Sequence, residues 1–336
     1  MLKPYIAKLV ERQDLSEKES EEAMSLIMSG KATEAQVAGF LVALRMKGET
    51  VAEITGSARA MRAAATRINV QGLDLVDTCG TGGDRKGTFN VSTAAALVAA
   101  GAGVPVAKHG NRSVSSGSGS ADVLKTLGVN IEASPEVVEE CIRQLGMGFL
   151  FAPALHKAMK FAIGPRREMG VRTVFNILGP LTNPAGARRQ LLGLFSGDLL
   201  ETIAGVLLNL GAEKAMVVHG ADGLDELSVC AESSIAEIDG GAIRTWQLTP
   251  ESVGLPRAQL TDLVVDGPEE SAEVIRFVLS GGQGPRRDIT LLNAGAAVYV
   301  GGRAASLEEG MQAAAESIDT GRAQHVLEGL VELTNR

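Results

Sequence analysis

The sequence predicts an α/β protein: a small helical N-terminal domain followed by a larger α/β domain with a mostly parallel central sheet. Two observations carry that prediction. The first 68 residues read as helices with start signals at Ser16, Thr33 and Thr50, and from Leu75 onward short apolar runs alternate with helical stretches. The length of 336 residues suggests about two domains at roughly 100–200 residues each. No internal repeat is visible.

Each N-terminal helix has a physical start. Ser16 with Glu19, Thr33 with Gln36 and Thr50 with Glu53 fit a capping box, in which the hydroxyl accepts from the N3 amide and the N3 side chain reaches back. Gly30 and Gly48 stand where helix stops belong. Val37, Leu41 and Leu44, with Ala38, Val42 and Arg45 beside them, trace an apolar helix face, so a small bundle is expected.

Five strand-length runs follow: LVDT (75–78), VPVAK (104–108), MGFLF (147–151), QLLGLF (190–195) and AMVVHG (215–220). Each precedes a Gly or Pro break and then a helical stretch, the pattern of a parallel sheet covered on both faces, whose ligands sit at the carboxyl ends of the strands. The stretch RREMGVRTVFNILGPLTNPAGA (166–187) lacks this alternation and is expected to return to the N-terminal bundle. The helical domain is then 1–70, completed by about 166–189, and the α/β domain 71–165 with 190–336. Residues 233–246 alternate as a hairpin around Gly240 and Gly241, and the chain closes in helices, one opened by Ser306 with Glu309.

Composition narrows the function. Thirty-two Lys and Arg against 40 Asp and Glu give a net charge of −8, and no Lys/Arg block occurs, which argues against a nucleic-acid backbone as the main partner. Cys79, Cys141 and Cys230 are too few and scattered for a disulfide framework and form no CxxC, so a reducing cytoplasm is expected. The opening MLKPYIAKLVERQ lacks a signal-peptide core. The longest uncharged stretch, Thr88 to Ala107, contains Asn90, Ser92 and Thr93 and reads as a buried helix and strand, with no membrane partner. Forty glycines against 3% aromatics point to backbone sites and tight turns.

Four motifs, each after an expected strand or helix start, can carry chemistry. In DTCGTGGD, Gly80, Gly82 and Gly83 leave room for a phosphate to approach backbone N–H groups, although the spacing matches neither GxxxxGKS/T nor GxGxxG, and a tight turn without ligand is the plain alternative. TFNVST (88–93) offers Asn90, Ser92 and Thr93 as caps for the next helix; a capped N-terminus presents N–H groups to an anion, and a hydroxyl there can ligate Mg²⁺. KHGNRSVSSGSGS (108–120) places Lys108, His109, Asn111 and Arg112 before a pliable Gly/Ser run, suited to covering a phosphorylated ligand; for His109 a structural role is an equal alternative. In HGADGLDELS, Asp225 and Glu226 can ligate Mg²⁺ beside phosphates, with Asp222 ranked lower. Arg166 and Arg167, read as opening the inserted helix, can clamp a carboxylate.

With CGTGGD, FNVST, KHGNRSVSS, GPRREMGVRTVFNILGPLTNP and Asp225–Glu226 in this order, the sequence resembles the anthranilate phosphoribosyltransferase family over essentially the whole chain. The resemblance implies transfer of a phosphoribosyl group from phosphoribosyl pyrophosphate (PRPP) to anthranilate in tryptophan biosynthesis, and a homodimer through the helical domains. It implies PRPP contacts at Gly80, Gly83, Asp84, Thr88, Asn90, Val91, Ser92, Thr93, Lys108, Asn111, Arg112, Ser116 and Ser120, and two Mg²⁺ ions on Ser92, Asp225 and Glu226. Arg166, Asn111 and His109 fall on the catalytic, anthranilate side with Gly80, and Pro180 in the pocket wall. Gly117 stands where the family usually carries Lys, removing a positive charge from the loop. Two rivals remain: a pyrimidine nucleoside phosphorylase of the same fold, which should carry a KHSTGGVGD-like segment in place of KHGNRSVSS, and a non-catalytic nucleic-acid binder, which needs a basic face.

Overall fold

The structure, a computed structural model, describes residues 1–112 and 119–336. Four helices, α1 (Lys3–Val10), α2 (Glu17–Met28), α3 (Glu34–Lys47) and α4 (Val51–Ala64), form the N-terminal bundle. The boxes at Ser16/Glu19 and Thr50/Glu53 are complete. Thr33 makes only half of one: its hydroxyl accepts from the Gln36 amide at 3.3 Å, but Gln36 Oε1 accepts from Leu2 N at 3.4 Å and so stitches α3 to the chain start. Gly30 and Gly48 adopt φ +69° and +93°, the left-handed region that ends a helix with little strain in glycine. Of the two stripes on α3, Val37, Leu41 and Leu44 are buried, whereas Val42 is 38% exposed.

The α/β unit begins with β1 (Val76–Gly80), α5 (Val91–Gly101), β2 (Val106–Gly110), α6 (Ser120–Thr126), α7 (Pro135–Leu145) and β3 (Met147–Phe151). A return segment follows, with α8 (Ala152–Leu155), α9 (Lys160–Met169) and α10 (Phe175–Leu178). Then come β4 (Arg189–Gly193), α11 (Leu200–Asn209), β5 (Lys214–Gly220), β6 (Ser233–Asp239) and β7 (Ala242–Leu248). The chain closes with α12 (Gly267–Leu279), α13 (Pro285–Val300), α14 (Leu307–Asp319) and α15 (Arg322–Thr334). At α14 Ser306 accepts from Glu309 N, but Glu309 accepts from Ala305 N, so this box too is half formed.

The seven strands are ordered β3-β2-β1-β4-β5-β6-β7, parallel from β3 to β5 and antiparallel thereafter. One expectation fails here: β5 leads through a loop into the β6–β7 hairpin, not into a helix, and an antiparallel neighbour needs no crossover. The chain direction across the sheet reverses between β1 and β4, the place where an open parallel sheet leaves a ligand crevice at its carboxyl ends.

Alternation sorts the strands between two cores. Leu191, Met216 and Val218 face α5, α12, α13 and α15, while Leu192, Ala215 and Val217 face α11 and the N-terminal bundle. The bundle docks through α4 on α11; Arg62 Nε donates to Leu181 O at 2.7 Å and Arg59 Nη2 to Asn209 O at 2.9 Å. Helix α9 packs on α3 and α2, so the return segment lies against the bundle from Lys160 onward, earlier than the expected 166. No helix among the described residues is long and apolar enough to cross a membrane.

Candidate active site

Gly80 ends β1 and Gly193 ends β4, and the two are register partners at the reversal point. The loop after β5 lies directly on them. A Cβ at Gly80 would sit 2.3 Å from Asp225 Oδ2, and one at Gly193 would sit 1.5 Å from the Asp225 carbonyl oxygen. These glycines admit Asp225, which is buried. Its Oδ2 accepts from Gly82 N at 2.7 Å, so one amide of the glycine loop is engaged by protein and is not open to a phosphate. Among the described residues, the Gly83 and Asp84 amides have no protein acceptor.

Burial, then the neighbouring Asp84, pushes the Asp225 carboxyl up to about 6. The Glu226 carboxyl is held well above the ordinary range by burial and by Asp225, against the pull of Lys108. The Ser92 amide at the start of α5 also favours the charged form of Glu226, more weakly. The Asn90 side chain caps α5, accepting from Thr93 N at 3.1 Å and from Ser92 Oγ at 3.4 Å. At this helix start Thr93 N is taken by the Asn90 cap, and Glu226 stands close enough for the Ser92 amide to favour its charged form. The Asn90 amide in turn donates to the buried Ser271 Oγ on α12 at 2.9 Å.

Lys108, near the end of β2, is buried with its Nζ donating to Thr78 O at 2.6 Å and Ser92 Oγ at 3.0 Å. Burial lowers its pKa while the surrounding acids resist that shift. Thr88 sits in an isolated antiparallel bridge with Val264, which sets the path of the chain from the glycine loop to α5. Asp84 accepts from Lys86 N at 3.3 Å, and burial raises its pKa.

His109 is buried, its amide bound to Asp77 Oδ1 at 3.0 Å and its ring 5.0 Å from that of His156. Burial and His156 push the imidazole down to about 3, and burial pushes His156 down to about 4, so both rings are neutral near pH 7. Asn111 is exposed, with Oδ1 accepting from Arg112 N at 2.8 Å. Arg112 pairs with Asp122 at 3.1 Å and lies over the Phe151 ring. Ser120 Oγ donates to Asn111 O at 3.4 Å. Ser116 and Gly117 lie outside the described residues.

The return segment supplies the remaining residues. Arg166 and Arg167 close α9 in its last turn and do not open it, because the helix already starts at Lys160. Arg166 lies over the Phe175 ring at 5.0 Å, has no ion-pair partner among the described residues, and burial lowers its pKa. Pro180 is buried, its carbonyl accepting from Gln190 Nε2 at 2.7 Å. Asp222 is used structurally, accepting from Ser228 Oγ at 2.6 Å and Leu224 N at 3.2 Å. Sequence reasoning missed Arg172, whose Nη2 donates to Gly83 O at 2.7 Å, and Ser271, His156 and Asp77 beneath the site. Arg172 and Asp77 stood inside motifs already singled out, without a role of their own; Ser271 and His156 carry no local signature.

The oxygen set of Ser92, Asp225 and Glu226 fits a hard divalent cation. Two adjacent carboxylates face one lysine, Lys108, and so leave negative charge uncompensated, and Mg²⁺ is typically held by one or two carboxylates with substrate phosphates and water. No group of three or more His, Cys, Asp or Glu gathers among the described residues, so any cation here would draw on Ser92, two carboxylates and substrate oxygens.

Comparison with known proteins agrees with this layout. A glycosyl transferase family helical bundle domain matches residues 3–65, and a glycosyl transferase family a/b domain matches residues 72–324. Anthranilate phosphoribosyltransferase of Acetivibrio thermocellus is 54% identical over 335 residues, covering 100% of this chain and 97% of that protein. The crystal structure of anthranilate phosphoribosyltransferase from Thermus thermophilus superposes with a TM-score of 0.94 at 48% identity, covering 98% and 99% of the two chains. The Saccharomyces cerevisiae enzyme in complex with PRPP and Mg superposes with a TM-score of 0.91 at 30% identity, covering 99% and 98%.

Proposed function

We infer the reaction from one premise, that the chain belongs to the anthranilate phosphoribosyltransferase family. The enzyme transfers the phosphoribosyl group of PRPP to the amine of anthranilate, giving N-(5-phosphoribosyl)anthranilate and pyrophosphate, the second step of tryptophan biosynthesis from chorismate. The observation that carries this reading in the structure is the meeting of Gly80, Ser92, Lys108 and the Asp225–Glu226 loop at the strand reversal.

Residue roles are assigned on that basis. PRPP lies along the glycine loop and the start of α5, near Gly80, Gly83, Asp84, Thr88, Asn90, Val91, Ser92, Thr93, Lys108 and the Asn111–Ser120 segment. The open Gly83 and Asp84 amides meet phosphate oxygens. Two Mg²⁺ ions are held by Ser92, Asp225 and Glu226, and when bound they neutralise charge on the departing pyrophosphate. Lys108 holds Ser92 Oγ in place and adds positive charge beside both carboxylates.

Anthranilate's amine is neutral at pH 7 and attacks C1 without prior deprotonation, so the site needs no strong base. Positioning remains, and it is worth several powers of ten in rate. Arg166 is a desolvated cation without an acid partner among the described residues, which suits the anthranilate carboxylate. Asn111 and neutral His109 flank the same approach, with Pro180 in the wall. Displacement in line inverts C1: the C1–O bond to pyrophosphate breaks as the C1–N bond forms, and the amine proton leaves afterwards to water.

The domain division is residues 1–70 completed by about 166–189 as the helical unit, with the rest as the PRPP-binding unit; the packing of α9 on α2 and α3 supports it, although Ile68 and Val70 pack with the α/β unit. A homodimer through the helical domains is supported by exposed Val10, Val42 and Met46 on α1 and α3. Free Cys79, Cys141 and Cys230 support a cytoplasmic setting. Product analysis tests the reading: equal amounts of N-(5-phosphoribosyl)anthranilate and pyrophosphate should form, and EDTA should stop both. Phosphate-dependent cleavage of thymidine or uridine instead would overturn it.

A further inference from the structure

We propose that Arg172 is a positioning residue that fixes the direction of the Asp84 amide in the glycine loop, an inference that rests on that loop's being the PRPP site. Arg172 follows Gly170, whose φ of +62° ends α9 and turns the chain toward the carboxyl ends of the strands. Its Nη2 donates to Gly83 O at 2.7 Å, and its guanidinium carbon lies 4.2 Å from the centroid of the Phe195 ring. Phe195 is fastened to the same loop, because its amide donates to Thr81 Oγ1 at 3.0 Å while Thr81 N donates to Gly193 O at 2.9 Å. The guanidinium is therefore bracketed between the glycine loop and the chain after β4. No carboxylate among the described residues pairs with it.

A planar trans peptide points its C=O and the following N–H in opposite directions. Holding Gly83 O toward Arg172 consequently holds Asp84 N–H on the opposite side, and that amide has no protein acceptor among the described residues. This peptide turns about ψ of Gly83 and φ of Asp84; Gly83, at φ +81°, has no Cβ to restrict its side of that turn, so a tether on its carbonyl narrows the orientations left open. Arg172 sets that limit before the ligand arrives. It touches no substrate in this assignment and acts through the Gly83–Asp84 peptide.

Steady-state kinetics of the full chain with anthranilate, PRPP and Mg²⁺ test the inference, with Arg172→Ala as the main variant. The KM for PRPP should rise about tenfold, as expected for losing a charge-assisted hydrogen bond. The KM for anthranilate should stay within about twofold and the melting temperature within a few degrees. Methylguanidinium should restore part of the lost kcat/KM for PRPP. Phe195→Leu, which removes the platform and keeps the charge, should move the same KM in the same direction, and the double variant should be no worse than Arg172→Ala, since the two act as one unit. Phe195→Leu carries the test if Arg172→Ala does not fold.

An unchanged KM for PRPP would overturn the inference, as would equal rises in both KM values. So would a difference from wild type that vanishes at about 1 M salt, where the Debye length is about 3 Å, because that would mean attraction through space and not orientation. Absence of wild-type turnover would defeat the reading of the loop itself, and this inference with it.

Discussion

The Asp225 carboxylate rests on the α-carbon of Gly80, so closely that a methyl group there would lie 2.3 Å from Oδ2 and 2.9 Å from Cγ. Asp225 cannot retreat, because its own carbonyl is packed against Gly193. Gly80→Ala should therefore displace the carboxylate. We expect kcat to fall on the order of a hundredfold, the cost of misplacing a site by about 1 Å, and the Mg²⁺ requirement to shift to higher concentration. Activity titrated with Mg²⁺ checks this; an unaltered titration would show that the contact is only steric.

Asp225→Asn with Glu226→Gln should abolish most turnover and its Mg²⁺ dependence. It should also stabilise the metal-free protein at pH 7. The Asp225 pKa is raised in the fold, so the native state keeps a proton that the unfolded chain releases, and stability falls as pH rises from about 4 to about 6. The variant lacks that loss, worth roughly 3 kcal/mol for the Asp225 shift. Urea unfolding with EDTA should show the two proteins diverging by roughly 1 kcal/mol at pH 4.5 and roughly 3 kcal/mol at pH 7.

Arg166→Ala should raise the KM for anthranilate at least tenfold and leave that for PRPP within about twofold, because a charged hydrogen bond is worth roughly 1.5–3 kcal/mol. Parallel rises in both constants would place Arg166 among structural residues.

His109→Gln tests the neutral imidazole. The folded pKa of His109 is depressed to about 3, so the unfolded chain binds a proton below about 6.5 that the native state refuses, and stability is lost as pH falls through that window. Between pH 7 and 4.5 the wild type should lose roughly 2–3 kcal/mol more than the variant. The kcat profile of the wild type should show no limb near 6.5 arising from this ring; a limb removed by His109→Gln would contradict the assignment.

Ser271→Ala removes the hydroxyl that accepts from the half-buried Asn90 backbone amide and should cost about 0.5–1.5 kcal/mol, the net worth of one hydrogen bond. Guanidinium unfolding measures it.

Legibility in the sequence followed the range of the forces involved. Capping at Ser16 and Thr50 and the strand MGFLF were readable because a few adjacent residues decide them. Gln36 departed from its box because Leu2, 34 residues away, competed for its side chain. The glycine loop was recognised, but the reason for Gly80 was not, since it lies in Asp225, which the chain brings over only after β5. The helix start at Ser92 was found, whereas the approach of Glu226 to it depends on the same long return. Ser271 was silent, and Arg172 and Asp77 stood in recognised motifs without a role, because the partners of all three are set by topology. Arg166 was singled out as a cation, but its place at the end of α9 required knowing that Pro165 is carried inside a helix.

The most direct measurement is the fluorescence of anthranilate mixed with purified protein, PRPP and Mg²⁺, with matched samples lacking PRPP or containing EDTA. The account predicts a loss of fluorescence that requires both PRPP and the metal, and that the Asp225→Asn, Glu226→Gln variant does not produce. A folded protein that leaves anthranilate unchanged, or whose double variant consumes it at the wild-type rate, would contradict it.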